Sequence, residues 1–171
     1  GLFFRPDPTH RLDYIFIHWD DALLRHPWTL AGLEATAPWL QYYLELAYFF
    51  CYPVVPLGLG ALYIARQYGK AIDHYWTALL LAAFICYVIY PHFPLTPPRE
   101  LFHDLPGPAV APLLRKTNFW ILGNYSVGAC LFPSAHVAST LAAALVIRKY
   151  LPRVGAAFLI VAASIAVATV Y

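Results

Sequence analysis

The chain has 171 residues, of which 61% are hydrophobic and 12% are charged. Soluble domains carry roughly 25% charged residues, so this composition is typical of a membrane protein. The net charge of +2 is small, and no basic and aromatic pattern of a nucleic-acid module accompanies it, so we expect no nucleic-acid partner. The three cysteines, Cys51, Cys86 and Cys130, form no metal or redox spacing.

Residues 1–38 predict an amphipathic segment that lies on a membrane surface. Apolar side chains recur there at helical spacing, at Leu12, Ile15, Phe16, Trp19 and Leu23. The opposite side carries Asp13, Asp20 and Asp21, which we expect to form a solvated face. The acids and histidines of this segment share no metal-ligand motif, so no metal site is predicted.

Residues 39–171 predict an all-α transmembrane core with four visible spans. The first span runs from Trp39 to Ala65, is long enough to cross with tilt, and is bent by Pro53 and Pro56. After a polar turn over residues 66–74, the second span runs from Tyr75 to about Phe93 and is broken near its end by Pro91. The third and fourth spans run from about Pro133 to Leu151 and from Val154 to Tyr171.

Glu45 is a charged residue inside the first predicted span. A charge is costly in hydrocarbon, so we expect it to face other helices or water. Two roles remain open for it: a structural hydrogen bond or ion pair, or a place in the lining of an active-site cavity.

Residues 91–132 predict an outward loop. Seven prolines between Pro91 and Thr117 predict an extended, irregular chain, and residues 118–131 predict a short surface or partly re-entrant helix. Prolines on either side of Thr96 stiffen the approach to Arg99, and a rigidly held arginine is a good bidentate clamp for phosphate. The alternative is an ordinary loop arginine in water.

The sequence from Phe132 to Ser139 places chemically capable residues at the mouth of an apolar helix. Pro133 suits the first helical position, so Ser134, Ala135 and His136 are predicted in the first turn. The N–H groups there have no intrahelical acceptor and attract an anion such as phosphate. His136 could exchange a proton with a phosphate ester oxygen. The alternative is an N-capped membrane helix with one interfacial histidine.

The short turns between spans predict the orientation. Arg66 and Lys70 flank one turn, and the other turn carries Arg148, Lys149 and Arg153. By the positive-inside rule these turns are cytoplasmic. The proline loop and Ser134–His136 then face the extracytoplasmic side, which is periplasmic or luminal.

A family resemblance rests on two motifs and on their order in the chain. They are Phe-Pro-Leu-Thr-Pro-Pro-Arg at 93–99 and, after it, Phe-Pro-Ser-Ala-His-Val-Ala at 132–138. The chain resembles the type-2 phosphatidic acid phosphatase superfamily, and looks closest to the branch that includes inositol phosphorylceramide synthases. The resemblance implies a six-helix membrane core and a metal-independent phosphatase or phosphotransferase without a cofactor. Its substrate would be a membrane lipid phosphate, and the reaction would pass through a phosphohistidine.

The resemblance also implies roles for individual residues. His136 matches the histidine that protonates the leaving oxygen, and Ser134 with the Ala135 amide matches the phosphate-cradling pair. Arg99 matches the first-motif arginine, and the family lysine falls on His92. Glu100 replaces the usual proline after the arginine, which is a departure shared with the Pro-Pro-Arg branch.

The third family motif is only begun in this sequence. Ala168 and Thr169 occupy its usual serine and arginine positions, so the nucleophilic histidine would follow four residues after Tyr171. We expect a fragment of a longer protein rather than an inactive relative. The alternative function is a non-enzymatic membrane transporter or assembly subunit, and a vanadate haloperoxidase-like relative fits the hydrophobic spans poorly. The lipid headgroup, the acceptor and the oligomeric state are not predicted.

Overall fold

Helices account for most of the described part of the chain. The computed structural model describes Thr9 and residues 11–24, 38–93, 95–96, 112–125 and 132–169. These residues form seven α-helices and no strand: α1 Arg11–Leu24, α2 Pro38–Phe49, α3 Val54–Ile64, α4 Lys70–Ile89, α5 Pro112–Tyr125, α6 Ala135–Tyr150 and α7 Pro152–Ala168. A 3₁₀ turn, Tyr90–His92, follows α4. The predicted all-α class is confirmed for these residues.

The chain divides into two compact units, each assembled from two stretches of sequence. One unit contains Gly1–Tyr43 and Tyr90–Phe132, and the other contains Leu44–Ile89 and Pro133–Tyr171. Helices α3, α4, α6 and α7 pack together in the second unit. The residues from Ser134 to His136 therefore belong to the second unit.

The predicted bend of the first span is present at Pro53, whereas Pro56, which was also expected to bend it, lies inside α3. The segments Tyr42–Phe49 and Val54–Ile64 are bent by 67° relative to each other. Pro53 lacks the N–H group that would continue the helix, and its ring clashes with the preceding turn. The connecting residues use tighter turns, with Cys51 N–H donating to Tyr48 O at 3.1 Å.

Tyr75 on α4 is central to the core of the second unit. It is fully buried with Leu62 of α3 and Ile147 of α6, and its hydroxyl donates to the Val55 carbonyl at 2.7 Å. Gly58 makes room for it, because a Cβ at position 58 would lie 2.6 Å from the Tyr75 hydroxyl oxygen. This contact ties α4 to α3 near the proline break.

Helices α6 and α7 form a tight hairpin joined by Leu151 alone. Pro152 occupies the start of α7, where its missing N–H group costs nothing. A Cβ at Gly155 would lie only 2.1 Å from the Arg148 Cα, so glycine allows the two backbones to meet. The two helices have 16 and 17 residues, so the hairpin brings Thr169 back toward the end at which α6 begins.

Two helix starts differ from the sequence prediction. Helix α4 begins at Lys70, inside the predicted polar turn, because Arg66 (φ 56°) and Gly69 (φ 58°) complete the reversal in fewer residues. Helix α5 begins at Pro112, inside the stretch predicted to be irregular. Proline is favoured at a first helical position, and the proline-rich context concealed this signal.

The predicted N-terminal helix is present as α1, but one feature of its expected solvated face is wrong. Asp13 is only 4% exposed, and its Oδ1 accepts a hydrogen bond from the Thr96 N–H at 2.8 Å. Tyr14 and Trp19 are 68% and 63% exposed. A backbone donor 83 residues away therefore contributes to the environment of this carboxylate. The side chains of Asp20 and Asp21 lie outside the described residues.

Among the described residues, one helix is long and apolar enough to cross a bilayer, and it covers Lys70–His92. If the two bent segments Tyr42–Phe49 and Val54–Ile64 are counted together as one span, they make a second candidate. Helix α7 is apolar but shorter, with 17 residues. Its length is about 26 Å at 1.5 Å per residue, slightly less than the roughly 30 Å of a hydrocarbon core.

Candidate active site

The N-terminus of α6 is built around Ser134, which is its N-cap. Ser134 has extended backbone angles (φ −67°, ψ 113°), and its Oγ accepts the Val137 N–H at 3.4 Å. The Ser134 carbonyl accepts the Ala138 N–H at 3.0 Å. Pro133 therefore precedes the cap and does not occupy the predicted first helical position. Serine is among the strongest N-cap residues, which explains why the helix starts here.

The first two helical residues are Ala135 and His136. The N–H groups of the first turn have no acceptor within the helix. The Ser134 Oγ accepts the N–H of Val137 and not that of Ala135 or His136. Within the described part of the chain, no acceptor pairs with these two N–H groups. Together with the positive end of the helix dipole, they are suited to hold an anionic oxygen.

The imidazole of His136 lies beside the break between α2 and α3. Its ring centroid is 6.0 Å from that of Tyr52, with an edge-to-face angle of 77°. The side chain of His136 is exposed in this structure, so a ligand can reach the ring.

Two hydroxyl groups one turn further along fix the backbone of the first turn. Thr140 Oγ1 donates to the His136 carbonyl at 2.6 Å and is fully buried. Ser139 Oγ donates to the Ala135 carbonyl at 2.6 Å. These bonds stiffen the turn that carries both the free N–H groups and His136.

The structure describes four of the five predicted site residues, and three of these four are adjacent in one unit. Ser134, Ala135 and His136 are consecutive at one helix end. His92 is exposed at the end of the 3₁₀ turn in the first unit. Arg99 and its neighbour Glu100 lie outside the described residues.

Two further residues singled out by the sequence lie in the second unit. Glu45 on α2 is 9% exposed, as expected of a charge that faces protein rather than lipid. Thr169 caps the C-terminus of α7, where its N–H donates to the Ile165 carbonyl at 2.9 Å. In the part of the chain that the structure describes, no group of three His, Cys, Asp or Glu residues could hold a metal ion.

A comparison with protein families decides the family of this chain. The family model of the PAP2 superfamily matches residues 15–171. The chain belongs to the PAP2 superfamily. No curated protein and no solved structure matches it significantly.

Membership of the PAP2 superfamily indicates phosphatase-type chemistry on a phosphate-bearing substrate. This agrees with a helix N-terminus that presents free N–H groups next to a histidine. The match includes α1 from Ile15 onward, so most of the N-terminal helix belongs to the matched region.

Sequence reasoning missed the residues that support the site from outside the motif. Tyr52 adjoins the predicted bend at Pro53, and an aromatic residue at a helix break was the available signal. Thr140 gave a weaker signal, because a threonine inside a helix can bond to the carbonyl four residues back. Nothing local pointed to the bond between Asp13 and Thr96.

Proposed function

We propose that this PAP2-superfamily chain is an integral membrane enzyme that removes or transfers the phosphate of a lipid through a phosphohistidine intermediate. The observation that carries the proposal is the N-terminus of α6, where free N–H groups of Ala135 and His136 lie next to the His136 imidazole. Preorganised donors suit phosphoryl transfer, because charge spreads over the equatorial oxygens in the transition state.

In the first chemical step, a nucleophilic histidine attacks phosphorus and the bond to the lipid oxygen breaks. His136 gives a proton to the departing oxygen, so the lipid leaves as an alcohol. The Ser134 hydroxyl and the Ala135 amide stabilise the equatorial oxygens. By the family resemblance, Arg99 is a further phosphate clamp, and His92 takes the position of the family lysine.

In the second step, water or an alcohol attacks the phosphohistidine and releases the histidine. His136, now neutral, accepts a proton from the attacking hydroxyl. Attack by water gives a phosphatase, and attack by an alcohol gives a phosphotransferase. The Pro-Pro-Arg sequence at 97–99 favours the branch that includes inositol phosphorylceramide synthases, in which an alcohol is the acceptor.

By the family resemblance, the third motif begins with Ala168 and Thr169 at the C-terminal end of α7. The α6–α7 hairpin supports this position, because helices of nearly equal length return Thr169 toward the end at which Ser134 begins α6. The third motif would therefore begin at the end of the hairpin at which Ser134 lies.

Several observations support a polytopic membrane core with an extracytoplasmic site. The helix over Lys70–His92 is long and apolar enough to span, and large side chains on α4 such as Phe84 and Val88 are 59% and 69% exposed. The His74–Tyr150 contact holds the two basic turns at one end of the second unit. By the positive-inside rule that end is cytoplasmic, and α6 begins at the other end.

The test is release of inorganic phosphate from a panel of lipid phosphates in detergent, with the His136→Ala variant as control. We expect release by the wild type and a loss of about 100-fold or more in the variant. If no phosphate is released, headgroup exchange onto added lipid alcohols tests the transferase. Absence of both reactions would overturn the proposal and favour the non-enzymatic transporter or assembly subunit.

A further inference from the structure

A groove of about 380 Å³ lies between α4 and α6. It is near the ends of these helices that meet at His74 and Tyr150. Its polar lining consists of His74, Thr77 and Lys149, and its apolar lining includes Leu81, Leu145 and Val146. The groove is at the opposite end of α6 from Ser134 and shares no residue with the proposed active site.

The polar and apolar linings are separated along the helices. Leu81 lies seven residues after His74 on α4, or about 10 Å along the axis, and Leu145 lies one turn before Lys149 on α6. One end of the groove is therefore polar and the other is hydrocarbon-like. A ligand that matches this arrangement has a polar headgroup continuous with an apolar chain.

The polar end is held in place by specific contacts. His74 Nδ1 is 2.6 Å from the Tyr150 hydroxyl, and the Tyr150 hydroxyl is 3.5 Å from the Lys70 carbonyl. The Lys149 ammonium lies 5.8 Å from the centre of the Tyr150 ring. Since Nδ1 contacts Tyr150, Nε2 is the ring nitrogen of His74 that remains for a ligand.

The charge at this end is strongly positive. Lys149 is accompanied by Arg66, Lys70, Arg148 and Arg153, whereas Asp73 is the acid next to His74 on α4. No carboxylate pairs with Lys149 among the described residues. An anionic headgroup is favoured over a zwitterionic one, because the groove lining offers a cation for a phosphate and no acid for a choline or ethanolamine.

We propose that this groove binds one anionic phospholipid, with its phosphate at Lys149 and His74 and an acyl chain along Leu81 and Leu145. Basic pockets between helices on the cytoplasmic side of a membrane favour such headgroups. The inference uses the membrane orientation of the proposed function but not its chemistry. The bound lipid would be a resident ligand, distinct from the substrate.

The test measures lipid retained by the full-length protein in a nonionic detergent, by native mass spectrometry after addition of phosphatidylglycerol or phosphatidylcholine. We expect phosphatidylglycerol to be retained in preference, and Lys149→Gln to reduce its retention about fivefold, as for the loss of one lysine contact. The matched control is Arg153→Gln, which removes a cation at the same end outside the groove lining and should retain the lipid.

A second variant tests the groove without changing charge. Leu145→Trp fills its apolar part and should reduce retention, while the thermal unfolding temperature without lipid shows that the protein is folded. The proposal fails if both lipids are retained equally, if Arg153→Gln loses as much lipid as Lys149→Gln, or if Leu145→Trp retains it fully. Displacement by soluble glycerol 3-phosphate would indicate an ion site and also contradict it.

The outcome is independent of catalysis, because retention is measured without turnover. His136→Ala should retain phosphatidylglycerol like the wild type. If a catalytically inactive protein retains the lipid, the groove proposal is supported and the proposed enzymatic function is contradicted. If an active protein does not retain the lipid, the enzymatic function is supported and the groove proposal is contradicted.

Discussion

The backbone N–H of Thr96 donates a 2.8 Å hydrogen bond to Oδ1 of Asp13. The carboxylate is 4% exposed, so water competes little for this bond. Thr96 precedes Arg99 by three residues, and Pro97 and Pro98 restrict the backbone between them. The N-terminal helix therefore anchors the segment that leads to the proposed phosphate clamp.

Loss of this anchor should weaken substrate binding. Leaving this partly buried N–H group without an acceptor costs about 1 kcal/mol, the low end of the usual range, so we expect Asp13→Ala to raise KM for a lipid phosphate about fivefold. Asp13→Asn keeps an acceptor for Thr96 and should lie close to the wild type. The measurement is steady-state kinetics of the three proteins, reported as separate kcat and KM values. An unchanged KM in Asp13→Ala would contradict the role of Asp13 in positioning the segment.

The close approach of α6 and α7 makes a prediction about stability. Gly155→Ala should lower the free energy of unfolding by about 1–3 kcal/mol, because the new Cβ would meet the Arg148 backbone. Gly60→Ala is the matched control, since a Cβ there meets no atom within 4 Å. Alanine in that helix interior should stabilise by about 0.5–1 kcal/mol. Thermal or denaturant unfolding in detergent tests both, and equal effects of the two changes would refute the close packing.

The position of His136 in the first turn of α6 predicts how anion binding depends on pH. An adjacent oxyanion favours the protonated form of the ring, so anion binding is coupled to proton uptake. Affinity should therefore rise as pH falls from 8 through the pKa of the free histidine. The neighbouring ring is that of Tyr52, with its centroid 6.0 Å from that of His136.

Sulfate is a suitable probe for this dependence because its charge stays constant over the same pH range. In the wild type, the inhibition constant of sulfate should decrease as the pH is lowered. In His136→Gln, the inhibition constant should change less with pH. Identical pH profiles for the two proteins would show that another group controls anion binding.

Proline accounts for much of what the sequence predicted correctly about the fold. The bend near Pro53, the end of α4 before Pro91 and the turn at Pro152 all follow from a missing N–H group and a ring that clashes with the preceding turn. The helix start at Pro112 was not predicted. The many prolines before it indicated an irregular chain and concealed the one that begins a helix.

Contacts between distant residues could not be predicted in the same way. Asp13 lies on α1 where helical periodicity favours solvent, and its contact with the Thr96 N–H comes from a residue far away in the sequence. The contact between His74 and Tyr150 joins residues 76 positions apart. Within the candidate site, the local motif gave Ser134, Ala135 and His136, while Tyr52 depended on how the broken helix packs.

The central claim is that His136 protonates the departing oxygen, and the choice of leaving group tests it most directly. Turnover of a lipid phosphate, which releases a poor alkoxide leaving group, should fall about 100-fold or more in full-length His136→Ala. Turnover of p-nitrophenyl phosphate should fall much less, because its phenolate leaves without needing a proton. Equal losses for the two substrates would contradict the assignment of His136 as the acid.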